Sequence, residues 1–186
     1  MNSKISKVIL SGPLNFPASK TVVEHDELPP VTNELSVTLR LNLQSHDSGW
    51  ITIFQKGADK LIRAPALYLT PNDSQPCPRF STNIDKNSGI DAIGKGFVLN
   101  KWYHIGYTLS DLHKRLDFYI DGKWVGFKSI EQVQKEYIVF NKDPLRIGHS
   151  FYAEFKGQMS NFCYYNWRLS ADEIANDFIM TYETYQ

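Results

Sequence analysis

Three stretches of this sequence carry the side chains best suited to chemistry. The loop Asp85-Lys86-Asn87-Ser88-Gly89-Ile90-Asp91 sets oxygen-bearing groups at alternate positions, so Asp85, Asn87 and Asp91 are spaced to wrap a hard cation such as Ca2+. Its glycine comes one place earlier than an EF-hand needs, and no glutamate closes the twelfth position, so a plain hydrophilic hairpin loop stands beside the calcium reading. Tyr119 and Trp124 flank the pair Asp121-Gly122. Across a two-residue turn they face each other, an aromatic platform that can stack on a sugar ring or anchor a protein partner, with Trp50 and Trp102 extending it. The alternative is a covered face, because tryptophan is usually largely buried. Arg63, Asn72, Asp73 and Arg79 flank or lie within a proline-rich irregular stretch, 71–78, placed to face a ligand if that loop binds one; polar loop residues also occur with no such role.

Chemistry of other kinds finds no footing. The histidines His25, His46, His104, His113 and His149 never fall at the close spacing of a metal-ligand pair, which disfavours zinc; His104 fits a packing role in its strand. Glu131 and Glu136 lie in a polar stretch, and Asp117 and Asp121 bracket a hairpin strand, so neither pair has the apolar setting that separates two pKa values for acid and base work. There is no Gly-x-Ser-x-Gly elbow, phosphate-binding glycine loop or Cys-His pairing. The expectation is a chain that does not catalyse.

Twenty basic residues balance twenty acidic ones, so no overall field steers the protein toward nucleic acid or an anionic membrane. Neutral partners, glycans or protein surfaces, suit it better. No apolar run approaches the roughly 18 residues that span a bilayer, and residues 1–12 lack the build of a signal peptide. The compartment stays open between a cytoplasmic protein and a domain cut from a larger, extracellular one. Cys77 and Cys163 are too few for a disulfide scaffold and are expected to be free thiols, with a single bridge as the alternative.

The elements that must position these groups are strands. Segments rich in Val, Ile, Thr, Tyr and Phe recur between Gly, Pro, Asn and Asp clusters, predicting at least nine strands among the ten segments 35–43, 50–54, 65–69, 79–84, 97–99, 102–109, 116–120, 123–127, 145–148 and 162–165. Strict alternation in 35–43 predicts one buried face and one face meeting water or ligand. In 102–109, Tyr103, Ile105, Tyr107 and Leu109 share one face and Trp102, His104, Gly106 and Thr108 the other. The Asp121-Gly122 turn predicts pairs Ile120 with Lys123, Tyr119 with Trp124, Phe118 with Val125 and Leu116 with Phe127, putting Leu116, Phe118, Ile120, Val125 and Phe127 on the core face. Ser170-Ala171-Asp172-Glu173 is a capping box that opens a short helix to about residue 179.

Read in order, Trp102-Tyr103-His104-Ile105-Gly106-Tyr107-Thr108, Leu116-Asp117-Phe118-Tyr119-Ile120-Asp121-Gly122-Lys123, Leu145-Arg146-Ile147-Gly148, Phe155-Lys156-Gly157-Gln158-Met159-Ser160-Asn161-Phe162 and Trp167-Arg168-Leu169-Ser170-Ala171-Asp172-Glu173-Ile174 resemble the laminin G-like and pentraxin-like branches of the concanavalin A-like superfamily. The resemblance covers about 102–178, with Gln55-Lys56-Gly57 and Ala66-Leu67-Tyr68-Leu69 extending it toward the N-terminus. It implies two antiparallel sheets packed face to face, with the first and last strands close together. Many relatives hold calcium in loops, but their ligand positions do not map by motif onto Asp85, Asn87 and Asp91. The glucanase branch carries Glu-x-Asp-x-x-Glu on one strand face, and this sequence has no such segment.

The expectation is therefore one all-β, two-sheet jelly-roll sandwich over 1–186 with a short C-terminal helix. Its function is read as binding, first of carbohydrate in the manner of a lectin, alternatively of a protein partner or in adhesion, with a glycoside hydrolase-like enzyme third. The ligand contacts expected are Tyr119, Trp124, Arg63 and Arg79, with calcium on Asp85, Asn87 and Asp91 as the cofactor to test.

Overall fold

Alternating apolar residues build the longest strand and the rest assemble around it. In the computed structural model, which describes residues 3–182, the chain forms β1 (Ser6–Leu10), β2 (Leu14–Phe16), β3 (Thr21–Val23), β4 (Glu34–Leu43), β5 (Ile51–Lys56), β6 (Ala66–Leu69), β7 (Pro76–Phe80), β8 (Ser88–Gly89), β9 (Trp102–Ser110), β10 (Arg115–Ile120), β11 (Lys123–Ser129), β12 (Leu145–Ile147), β13 (Ala153–Glu154), β14 (Gly157–Tyr165) and α1 (Ala171–Tyr182). The first sheet runs β1-β14-β4-β9-β10-β11, with β2 also on β14; the second runs β3-β12-β5-β6-β7-β8. Pairing is antiparallel throughout except where β13 lies parallel to β5. The all-β sandwich read from the sequence is thus what forms, and β1 beside β14 brings the first and last strands together as the resemblance implied.

The core fills the gap between the sheets. Leu35, Val37, Leu39, Leu41 and Leu43 of β4 and Ile105, Tyr107 and Leu109 of β9 pack with Ile51, Phe54, Leu67, Leu69 and Phe80 of the second sheet. Phe54 meets Tyr107 and Phe162 edge-on at 5.8 and 5.6 Å, joining the two layers through aromatic contacts.

The other face of β4 does not meet water or ligand, contrary to the alternation argument. Ser36, Thr38 and Arg40 are buried as well, because α1 and the segment before it lie across the first sheet. Ser36 Oγ donates to Trp167 O and accepts from Leu169 N, while Arg40 donates to Phe178 O at 2.6 Å and to Thr181 Oγ1 at 2.8 Å. Gly106 of β9 is the floor under the helix, since a Cβ there would stand 2.9 Å from Ile174 Cδ1. The capping box forms as read: Glu173 N donates to Ser170 Oγ and Ser170 N to Glu173 Oε1, each at 3.1 Å. Ser170→Ala is expected to cost about 1 kcal/mol of stability, checked by urea unfolding.

The β10–β11 hairpin keeps the expected pairs at its tip, Ile120 with Lys123 and Tyr119 with Trp124, then slips by one residue, so Phe118 faces Gly126 and Leu116 faces Lys128. Val125 is the extra residue of a bulge, the usual device for a strongly twisted strand at a sheet edge, where β11 lies. The slip removes Val125 and Phe127 from the core face; both are exposed, while Leu116 and Phe118 stay buried.

The proline-rich stretch also differs from expectation, since part of it is β7. Pro78 and Pro76 accept from Ile90 N and Ile93 N, so the side on which proline lacks a donor faces the sheet edge, and β6 is not deprived of a hydrogen bond. Residues 97–99 are not a strand: Phe97 is anchored by its N–H to Ser74 O and packs its ring against Tyr103.

Candidate functional site

The outward face of the second sheet can be laid out from its registers. Arg146, Gln55, Ala66 and Arg79 form one row across β12, β5, β6 and β7, and Thr52, Tyr68 and Cys77 form the next. Their chain neighbours Phe54, Leu67 and Leu69 point into the core, so strand alternation sends the polar and aromatic groups outward. The loops after β4, β5, β7 and β12 then wall in a pocket of about 210 Å3, lined by Trp50, Arg63, Tyr68, Arg79, Asn87 and Tyr152.

Arg63 is mostly buried, with its guanidinium 5.0 Å above the Tyr68 ring; it donates to Lys60 O, to Asn87 Oδ1 and to Tyr152 OH. Arg79 donates to Asn87 O at 3.3 Å and pairs with the Asp91 carboxylate. Tyr152 meets Tyr68 edge-on at 5.3 Å, and Lys60 Nζ sits 5.6 Å over the Tyr152 ring. Burial pushes the Tyr68 phenol well above its ordinary range, against the pull of the Arg63 guanidinium, so it remains a proton donor at neutral pH. Among the described residues the buried Tyr68 OH has no hydrogen-bond partner, and neither do Gln55 Oε1 and Arg146 Nε in the adjoining row.

Arg63, Arg79 and Asn87, read from separate stretches of sequence, therefore meet in one pocket, with Asp91 at its edge. Asp85 closes a turn by accepting from Asn87 N at 2.8 Å. The side-chain oxygens of Asn87 and Asp91 are taken by arginines, and no cluster of three or more His, Cys, Asp or Glu among the described residues could hold a metal ion. Asn72 and Asp73 stand in a turn outside the lining. Tyr68, Tyr152 and Arg146 were missed. The alternation of Ala66-Leu67-Tyr68-Leu69 would have sent Tyr68 to the polar face, whereas nothing local in the sequence marks Tyr152, which arrives on a loop.

The second predicted surface is split. Tyr119 is buried with Leu169 and Ile174 beside α1, so the exposed aromatic stack is Trp124 on Phe127, with ring centroids 5.7 Å apart. The Trp124 indole donates to Asp117 at 2.9 Å, and Arg115 and Arg168 also bond this buried carboxylate. Burial alone would raise the Asp117 carboxyl, but these donors hold it below its usual range. Trp102 lines neither surface; it pairs with Asn42 at the start of β9. His104 does more than pack: fully buried, it puts Nε2 2.7 Å from Asp177 Oδ2 and ties β9 to α1. Both cysteines are free.

Two antiparallel sheets packed face to face, with a small walled pocket on one of them, define a jelly-roll β-sandwich. Residues 18–175 match the family model described as the concanavalin A-like lectin/glucanases superfamily, laminin G type, and the chain belongs to that family. Among solved structures it is similar to the binding domain of botulinum neurotoxin serotype D (15% identity, TM-score 0.65), covering 96% of this chain and 46% of that one. A second structure, of the receptor binding domain of botulinum neurotoxin D, gives 15% identity and a TM-score of 0.65 over 96% of this chain and 48% of that one. A Trypanosoma rangeli sialidase in complex with the inhibitor DANA gives 19% identity and a TM-score of 0.58 over 78% of this chain and 22% of that one. The chain spans less than half the length of these proteins, and at such identities the likeness is one of fold. No curated protein matches the sequence. No helix among the described residues is long and apolar enough to cross a membrane.

Proposed function

We propose that this chain is a non-catalytic glycan-binding module whose ligand enters the pocket between Arg63, Tyr68, Arg79 and Tyr152. The observation that carries the reading is the lining itself. Sugar rings offer an apolar face for stacking and a rim of hydroxyls for hydrogen bonding, and Trp50 and Tyr152 supply the first need while Arg63, Arg79, Asn87 and the Tyr68 hydroxyl supply the second. Membership of a lectin/glucanase superfamily supports it, as does likeness to domains described as binding domains.

A glycan array followed by calorimetry tests the proposal. Binding to a defined set of glycans is expected, and Trp50→Ala should weaken it roughly fivefold, the loss of about 1 kcal/mol of aromatic contact. EDTA should leave the affinity unchanged, because arginines already hold the Asn87 and Asp91 oxygens; an EDTA-sensitive affinity would return Asp85, Asn87 and Asp91 to the calcium role. Folded protein that binds no glycan under either condition overturns the reading. One observation favours a second reading, a protein partner at β11, where Trp124, Val125 and Phe127 are 52%, 39% and 48% exposed.

A further inference from the structure

Resting on the glycan reading, we infer that the pocket takes an acidic sugar and that the Asp91 carboxylate occupies the place of the sugar's carboxylate while the pocket is empty. The charges face one way. Arg79 and Arg146 stand in one row of the outward face, Arg63 and Lys60 lie over the tyrosines beside it, and Asp91 is the one carboxylate paired with any of them among the described residues. The guanidinium fork favours a planar carboxylate, since both can form parallel hydrogen bonds.

The Arg79–Asp91 pair is lopsided. The Arg79 side chain is 12% exposed and set into the wall, whereas the Asp91 side chain is 88% exposed on an open loop. Such a carboxylate is open to water on its loop, so a ligand carboxylate that reaches the same guanidinium can take its place while Asp91 returns to solvent. What waits beneath is a donor with nothing to donate to: the buried Tyr68 hydroxyl has no partner among the described residues, and leaving it so is costly unless a ligand supplies an acceptor. A neutral sugar would satisfy the hydroxyl but leave the surplus of positive charge unanswered.

Calorimetry with glucuronate- and sialate-terminated oligosaccharides, set against glucose- and galactose-terminated ones, tests this. The acidic ligands are expected to bind at least about tenfold tighter, with salt weakening them selectively. Asp91→Asn should tighten acidic binding severalfold by removing the internal competitor, and Arg79→Gln should weaken it about tenfold or more. Tyr68→Phe guards against misfolding as an explanation: it removes only a buried hydroxyl and keeps the ring under Arg63, so its thermal midpoint should stay near that of wild type while its affinity for acidic sugars falls. Equal binding of acidic and neutral sugars, no gain in Asp91→Asn, or a preference for sulfated over carboxylated sugars overturns the carboxylate assignment and leaves glycan binding standing. Binding to none of them overturns both.

Discussion

Gly157→Ala should lower stability by about 3 kcal/mol or more, placing it among the most damaging single substitutions. A Cβ on Gly157 would lie 2.1 Å from Asn42 O and 3.0 Å from Phe155 Cζ. The first of these is backbone of the neighbouring strand, fixed by the pairing of Gly157 with Leu43 and by the hydrogen bond from Gln44 N to Lys156 O. It cannot move without parting β4 from β14 at the centre of the first sheet. Gly106→Ala is the comparison that gives the prediction its edge, because the nearest atom there is the tip of the flexible Ile174 side chain. Urea unfolding of both variants should show a much larger fall in midpoint for Gly157→Ala; equal falls would refute the backbone argument.

Lys56 should contribute on the order of 2–3 kcal/mol of stability on going from pH 7 to pH 10, a gain read as the difference between wild type and Lys56→Met across that range. Lys56 is 3% exposed, with Nζ 2.5 Å from Asn141 O and 3.1 Å from His25 Nδ1. Burial lowers its pKa to about 8 from 10.5, with Asp143 pulling the other way. At neutral pH the ammonium is charged in both folded and unfolded chains, and the folded chain bears the cost of holding it out of water. That cost disappears as the folded protein loses the proton first, so stability rises from about pH 8 toward the unfolded pKa and is lost again as pH falls through 8. The buried phenols of Tyr68, Tyr107, Tyr164 and Tyr165 and the thiols of Cys77 and Cys163 are all raised by burial, so the unfolded chain ionises them first and they oppose folding toward the top of this window, in both proteins alike. Unfolding midpoints of the two proteins across pH 7 to 10 measure the difference, and parallel curves would remove Lys56 as the cause.

Phe155-Lys156-Gly157 also marks what was legible beforehand. The family resemblance singled out that stretch, and its glycine meets the Asn42 carbonyl. Alternation placed the core residues of β4 and β9 correctly because a period of two is intrinsic to the strand. It could not say that α1 would cover the opposite face, since covering is a long-range event; Ser36, Arg40 and His104 are polar and yet buried because residues more than seventy positions away supply their partners. The hairpin register failed after Tyr119 for a related reason: the turn chemistry sets the tip, and the bulge at Val125 answers to the sheet edge. For the site, Arg63, Arg79, Asn87 and Asp91 were all visible as polar loop residues, but their meeting depends on β7 continuing through Pro76 and Pro78, which looked like a break.

The helix across the first sheet has a last consequence, for valency. With α1 occupying one broad side of the sandwich, the pocket lies on the other, so under the proposed glycan-binding function each chain would bring one site to a glycan-coated surface. Durable attachment would then require several copies engaging at once, with a gain set by the spacing between pockets and the reach of whatever joins them.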